Sequence, residues 1–161
     1  MTKFSAFFAG RSDRLVLPSS DKEKFERYIR QQSVARGNAE DVPFPRQVDF
    51  WVFSICTALA MELEPRKGAI SSWGAAFIYV YQGILSEDVA AFLAVVAVAK
   101  MGHEHPDVGN PAKIIELANR LAGAGCPIVL QKLTEDSIRT TPLDRAISLA
   151  RSLQGKVCAG G

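Results

Sequence analysis

The longest uninterrupted apolar run in the chain is Val89–Ala99, VAAFLAVVAVA, eleven residues without a polar side chain. A helix apolar all round is buried all round. At about 1.5 Å per residue it is too short for a bilayer, which takes about 20 residues. Ser86 is placed to cap it, Glu87 and Asp88 suit its positive end, Lys100 its negative end, and Gly102 the residue that closes it. The pattern therefore predicts an all-α domain, a single compact bundle of about six helices around this central apolar helix.

The remaining helices follow from periodicity and punctuation. Ser20 and Glu23 fit a capping box and start a helix to about Gln32, with Phe25, Tyr28 and Ile29 as a narrow apolar stripe. Arg36-Gly37-Asn38 breaks it, and Val42-Pro43-Phe44-Pro45 leads into the next helix. Pro45 suits that helix's first turn, and Val48, Trp51, Val52, Ile55, Leu59 and Leu63 repeat at helical spacing over Arg46–Leu63 until Pro65 stops it. Residues 69–85 keep helical spacing at Ile70, Trp73, Phe77, Tyr81 and Ile84, although Phe77–Tyr81 is β-favouring in composition. Helix is the favoured reading, because no partner strand is evident.

Asn110-Pro111 opens another helix, with Ile114, Ile115, Leu117, Ala118 and Leu121 on its apolar face. Gly123 or Gly125 is expected to end or bend it, and Cys126–Leu133 reads as a short helical continuation. A last helix starts at Thr141-Pro142, with Asp144 three residues after the cap, and stops at Gly155. The chain thus divides into an N-terminal arm (1–19), a helical domain (20–155) and a C-terminal tail (156–161). The arm's Phe4, Phe7 and Phe8 are read first as packing on the chain's own body and second as partner-binding residues.

Composition adds little to this picture. With 161 residues, 48% hydrophobic and 22% charged, the chain suits one globular domain. The net charge is only +2 but uneven. Residues 1–46 hold nine basic and six acidic side chains, 47–131 five and eight, and 132–161 five and three. Global charge will not drive nucleic-acid binding. A local basic helix with Lys22, Lys24, Arg27 and Arg30 is a candidate DNA-binding face. Three cysteines without a CxxC do not form a secreted disulfide framework, and the apolar patch Phe4–Ala9 is too short for a signal peptide. The expected location is the cytoplasm, with no membrane partner.

Candidate chemistry is thin. His103, Glu104, His105 and Asp107 put two imidazoles and two carboxylates within five residues, a candidate metal site in which His103, His105 and Asp107 would be ligands. The plainer reading is a polar loop between helices. There is no GxSxG, GxGxxG or GxxxxGK[ST], so neither a nucleophile elbow nor a phosphate cradle is signalled, and no cofactor is implied.

The stretch Asp49–Lys132 carries a further pattern: DFWVFSICTALAMEL, a basic turn, a Trp/Phe segment, DVAAFLAVVAVA and then IIELANRLAGAG. It resembles the small accessory proteins associated with bacterial DNA phosphorothioation (Dnd) modification and restriction systems, with Glu116, Ala118 and Asn119 in the late segment before the glycines. The resemblance implies a noncatalytic component of a DNA-modification or antiphage defence complex, bound to a larger protein subunit, with DNA nearby, and it assigns no active-site residue. A homo-oligomeric helical protein, a metal-binding module or metal-dependent enzyme, and a direct DNA-binding protein are the alternatives.

Overall fold

A computed structural model describes residues 4–8, 14–29, 40–73, 76–79, 85–135 and 139–159. It is mostly helical. Six α-helices pack together: α1 (Phe4–Phe7), α2 (Lys22–Glu26), α3 (Gln47–Ala60), α4 (Glu87–Met101), α5 (Pro111–Leu133) and α6 (Pro142–Ala159). A small antiparallel ladder joins β1 (Arg14–Val16) to β2 (Ala76–Tyr79), pairing Arg14 with Tyr79 and Leu15 with Ile78. Among the described residues, no helix is long and apolar enough to cross a membrane.

The centre of the bundle is α5, not the apolar run in α4. Twelve residues of α5, from Ile114 to Leu133, are buried. It contacts α3 most extensively and also touches α4, α6 and β1. In α4 only Ala90, Leu93, Val96 and Ala97 are buried. Val95 is 66% exposed and Val98 45%. The expectation of a post wrapped on every side is therefore corrected. An apolar circumference tells that a helix lacks a polar face, but not that the same chain supplies a neighbour for each side. Alanine and valine also expose little surface, so the uncovered face costs little.

The close contact of α5 with α3 has a specific cause. A Cβ on Gly125 would stand 1.9 Å from the Ser54 carbonyl oxygen and 3.1 Å from the Ala58 nitrogen. Only hydrogen fits there, so the glycine sets how near the two backbones come. Ser54 and Thr57 add no unmet polarity, since their hydroxyls donate to the Phe50 and Phe53 carbonyls one turn back, both at 2.9 Å. Gly123 lies under the Trp73 ring, where a Cβ would meet Cζ3 at 2.9 Å. Packing, rather than chain termination, explains both glycines, and α5 runs unbroken through them and through Pro127.

Other boundaries shift for local reasons. The α3 helix ends at Ala60, five residues before Pro65. Glu62 takes a left-handed φ of 53°, its N–H bonds to the Leu59 carbonyl, and the Leu63 N–H reaches the Ala58 carbonyl at 2.9 Å. These two bonds make a Schellman closure, here with glutamate where glycine is usual. Pro45 stands before the helix, whose N-cap is Arg46. Lys22–Glu26 replaces the longer helix expected from Ser20, which does not cap it. Tyr28 and Ile29 leave the helix because the Phe44 N–H bonds to the Tyr28 carbonyl and Ile29 bridges to Phe44. Residues 30–39, which include Arg30 and the expected breaker at Arg36–Asn38, lie outside the described residues.

Within residues 69–85, the described stretches 70–73 and 76–79 are not the expected helix. A 3-10 turn at Ile70–Trp73 precedes β2. The partner strand is the three-residue β1 in the N-terminal segment, too short to announce itself. Residues 74, 75 and 80–84 lie outside the described residues. In the same N-terminal segment Phe8, Leu15 and Leu17 join the main core at 2%, 0% and 0% exposure.

Caps read from the sequence are present at three helices. The Ser86 hydroxyl accepts the Val89 N–H at 3.3 Å and the Asn110 carboxamide the Ala112 N–H at 3.1 Å. Thr141 and Asp144 close a reciprocal box: Thr141 donates from N–H and hydroxyl to the carboxylate, and its hydroxyl accepts the Asp144 N–H. The last helix continues past Gly155, where an added Cβ meets nothing within 4 Å.

These two helical glycines, Gly125 and Gly155, give opposite predictions. Gly125→Ala should cost at least about 3 kcal/mol or abolish folding, because backbone on both sides must move. Gly155→Ala should stabilise by about 0.5–1 kcal/mol, through helix propensity alone. Urea melts of both variants check this, and a tolerated Gly125→Ala would contradict the packing account.

Candidate functional site

Among the described residues, the three groups of side chains singled out by the sequence do not converge on a common site. His103 is 81% exposed and lies 3.6 Å from its neighbour Glu104, itself 89% exposed. His105 caps the turn Pro106–Gly109, its Nδ1 accepting the Asp107 N–H at 3.1 Å. Among the described residues, no three His, Cys, Asp or Glu side chains converge on a metal position. The loop follows Gly102 at φ 89°, which turns His103 away from the end of α4 into solvent.

Two of the basic candidates, Lys22 and Lys24, sit on a five-residue helix where their charges are locally matched. Lys22 pairs with Glu26 at 3.7 Å and Lys24 with Asp21 at 3.6 Å. Arg27 lies just beyond the helix, and Arg30 lies outside the described residues. Of the aromatic trio, Phe8 is in the core, Phe7 is 39% exposed and stands edge-on to Phe8, and the Phe4 side chain lies outside the described residues.

Two described cysteines are free. Burial pushes the Cys56 thiol up from its ordinary value and takes Cys126 up to about 12. Both remain protonated near neutrality and are poor nucleophiles. Cys56 lines an apolar groove of about 500 Å³ between α3 and α6, together with Phe53, Leu59, Ala60, Ala150, Leu153 and Gln154.

The best-built polar constellation is at Asn119, on the buried side of α5. Its Oδ1 accepts the Val16 N–H at 2.9 Å and the Trp51 Nε1–H at 3.1 Å, and its Nδ2 donates to the Arg14 carbonyl at 2.9 Å. The carboxamide therefore pairs with the free edge of β1 as a neighbouring strand would, while holding the α3 indole. Two donors on one atom and one acceptor on the other fix its orientation. At the next position, Arg120 donates from Nη1 to the Arg66 and Gly68 carbonyls, each at 2.9 Å, and the Arg66 N–H returns to the Arg120 carbonyl. Arg66 in turn lies over the Trp73 ring at 5.2 Å. Glu116 holds Arg120 in place, and hydrogen bonds from Arg120 and Lys113 hold its carboxyl below the usual range. Asn119 and Arg120 thus fasten the N-terminal strand and the loop after α3 to the central helix. This work is architectural.

What is left open is the outer face of α4. Val95 and Val98 stand on it, with Ala99 exposed and Ala91, Phe92 and Ala94 half-buried. α1 packs on the same helix, and Ser5 anchors it there by donating from N–H and hydroxyl to the Glu87 carboxylate at 3.1 and 2.8 Å. Reading α4 as core missed this face. The sequence gives no signal for it, since alanine and valine occupy the buried positions Ala90, Val96 and Ala97 as well as the outer ones.

Removing the Asn119 carboxamide should leave the buried Val16 N–H and Trp51 Nε1–H without this acceptor, and take this donor from the Arg14 carbonyl. Asn119→Ala is expected to cost about 2–4 kcal/mol in urea melts. Asn119→Asp keeps the acceptor but loses the donor while ionised. Burial raises that carboxyl, so this variant should gain stability as pH falls and the acid regains an O–H. A uniform loss at all pH values would contradict the assigned bonds. Glu116 has the opposite sign. Its folded value lies below the 4.5 of the free side chain, so its contribution is present above that value and fades as pH falls through the lower folded value. Glu116→Gln should lower the melting temperature slightly at neutral pH and leave it unchanged in acid, once Glu116 is protonated in both the folded and the unfolded chain, the effect staying small because the pair is only partly buried.

The chain matches no family model, no curated protein and no solved structure, so the functional reading rests on its own residues.

Proposed function

We propose that this protein is a noncatalytic interaction subunit, docking on a larger protein through the outer face of α4. The observation that carries the reading is the exposure of Val95 and Val98 on a helix with no polar side chain between Asp88 and Lys100. A helix with one side against water ordinarily puts charged or polar residues there. Among the described residues, the two thiols are held protonated and the histidines share no ligand set, which favours binding over chemistry.

Magnitude bears on the size of the partner. Fully burying a valine is worth about 1.5 kcal/mol, so covering what Val95 and Val98 leave open gives about 2 kcal/mol. Micromolar binding needs about 8 kcal/mol. The partner must therefore reach beyond these two side chains, and the neighbouring α1 offers half-exposed Phe7. The place of this subunit in a prokaryotic DNA-modification or antiphage defence complex rests on the sequence pattern of Asp49–Lys132.

Affinity purification of the tagged chain from its native host tests the reading. The wild type should bring down a stoichiometric component of a DNA-modification or defence complex. A double variant, Val95→Lys with Val98→Lys, should keep its melting temperature, since lysine is at least as good a helix former, and lose that partner. A wild type that elutes alone, or a variant that retains the same partner, would overturn the proposal.

A further inference from the structure

We draw no further inference here: the strongest candidate, the apolar outer face of α4 around Val95 and Val98, already carries the proposed docking role, and nothing in the structure shows what covers it.

Discussion

The architecture depends on one backbone approach, that of α5 against α3 at Gly125. A methyl group at this point would overlap the Ser54 carbonyl. Close approach of the helices lets Ile55, Ala58, Leu121, Ala122 and Cys126 seal into a core with no exposure among them. The seam runs near the middle of the longest helix, so its position sets where both ends of α5 project. One part of α5 then receives β1 and the loop after α3, and its C-terminal end meets α6, whose Arg145 donates to the Leu133 carbonyl at 2.7 Å.

Around this seam, polar groups do the fastening that apolar contact cannot specify. Burying Asn119 is costly unless both of its polar atoms are hydrogen-bonded. Its three bonds are to backbone and indole groups separated in sequence by 68 to 105 residues. Such a residue contributes a unique register for β1 more than it contributes net stability. Arg120 acts similarly on the loop at Arg66 and Gly68, with partly exposed partners and a smaller individual stake.

Much of the helical content was legible in the residues, because caps are local. Ser86, Asn110 and Thr141 each make the hydrogen bonds that their positions before an apolar run imply. What was illegible is set by contacts distant in sequence. The strand Ala76–Tyr79 pairs with a three-residue partner some sixty positions earlier, so its β-favouring composition lost to an equally good helical spacing. Gly123 and Gly125 read as breakers, because a glycine that admits a neighbouring helix looks the same in sequence as one that ends its own. Asn119 stood out only through a family-like pattern, while its buried role needed the positions of Arg14, Val16 and Trp51. The α4 face was hidden by the assumption that apolar means central.

The consequence is a domain whose longest apolar run lies on a helix with one open face and whose central helix carries the glycines, the proline and the buried amide. Native-state hydrogen exchange read residue by residue tests this ordering most directly. Amides of Ile55–Ala58 in α3 and Leu121–Cys126 in α5 should exchange only through global unfolding, while Val95–Ala99 in α4 exchange sooner through local opening. Greatest protection in α4, with α5 opening before it, would contradict a core centred on the seam between α3 and α5.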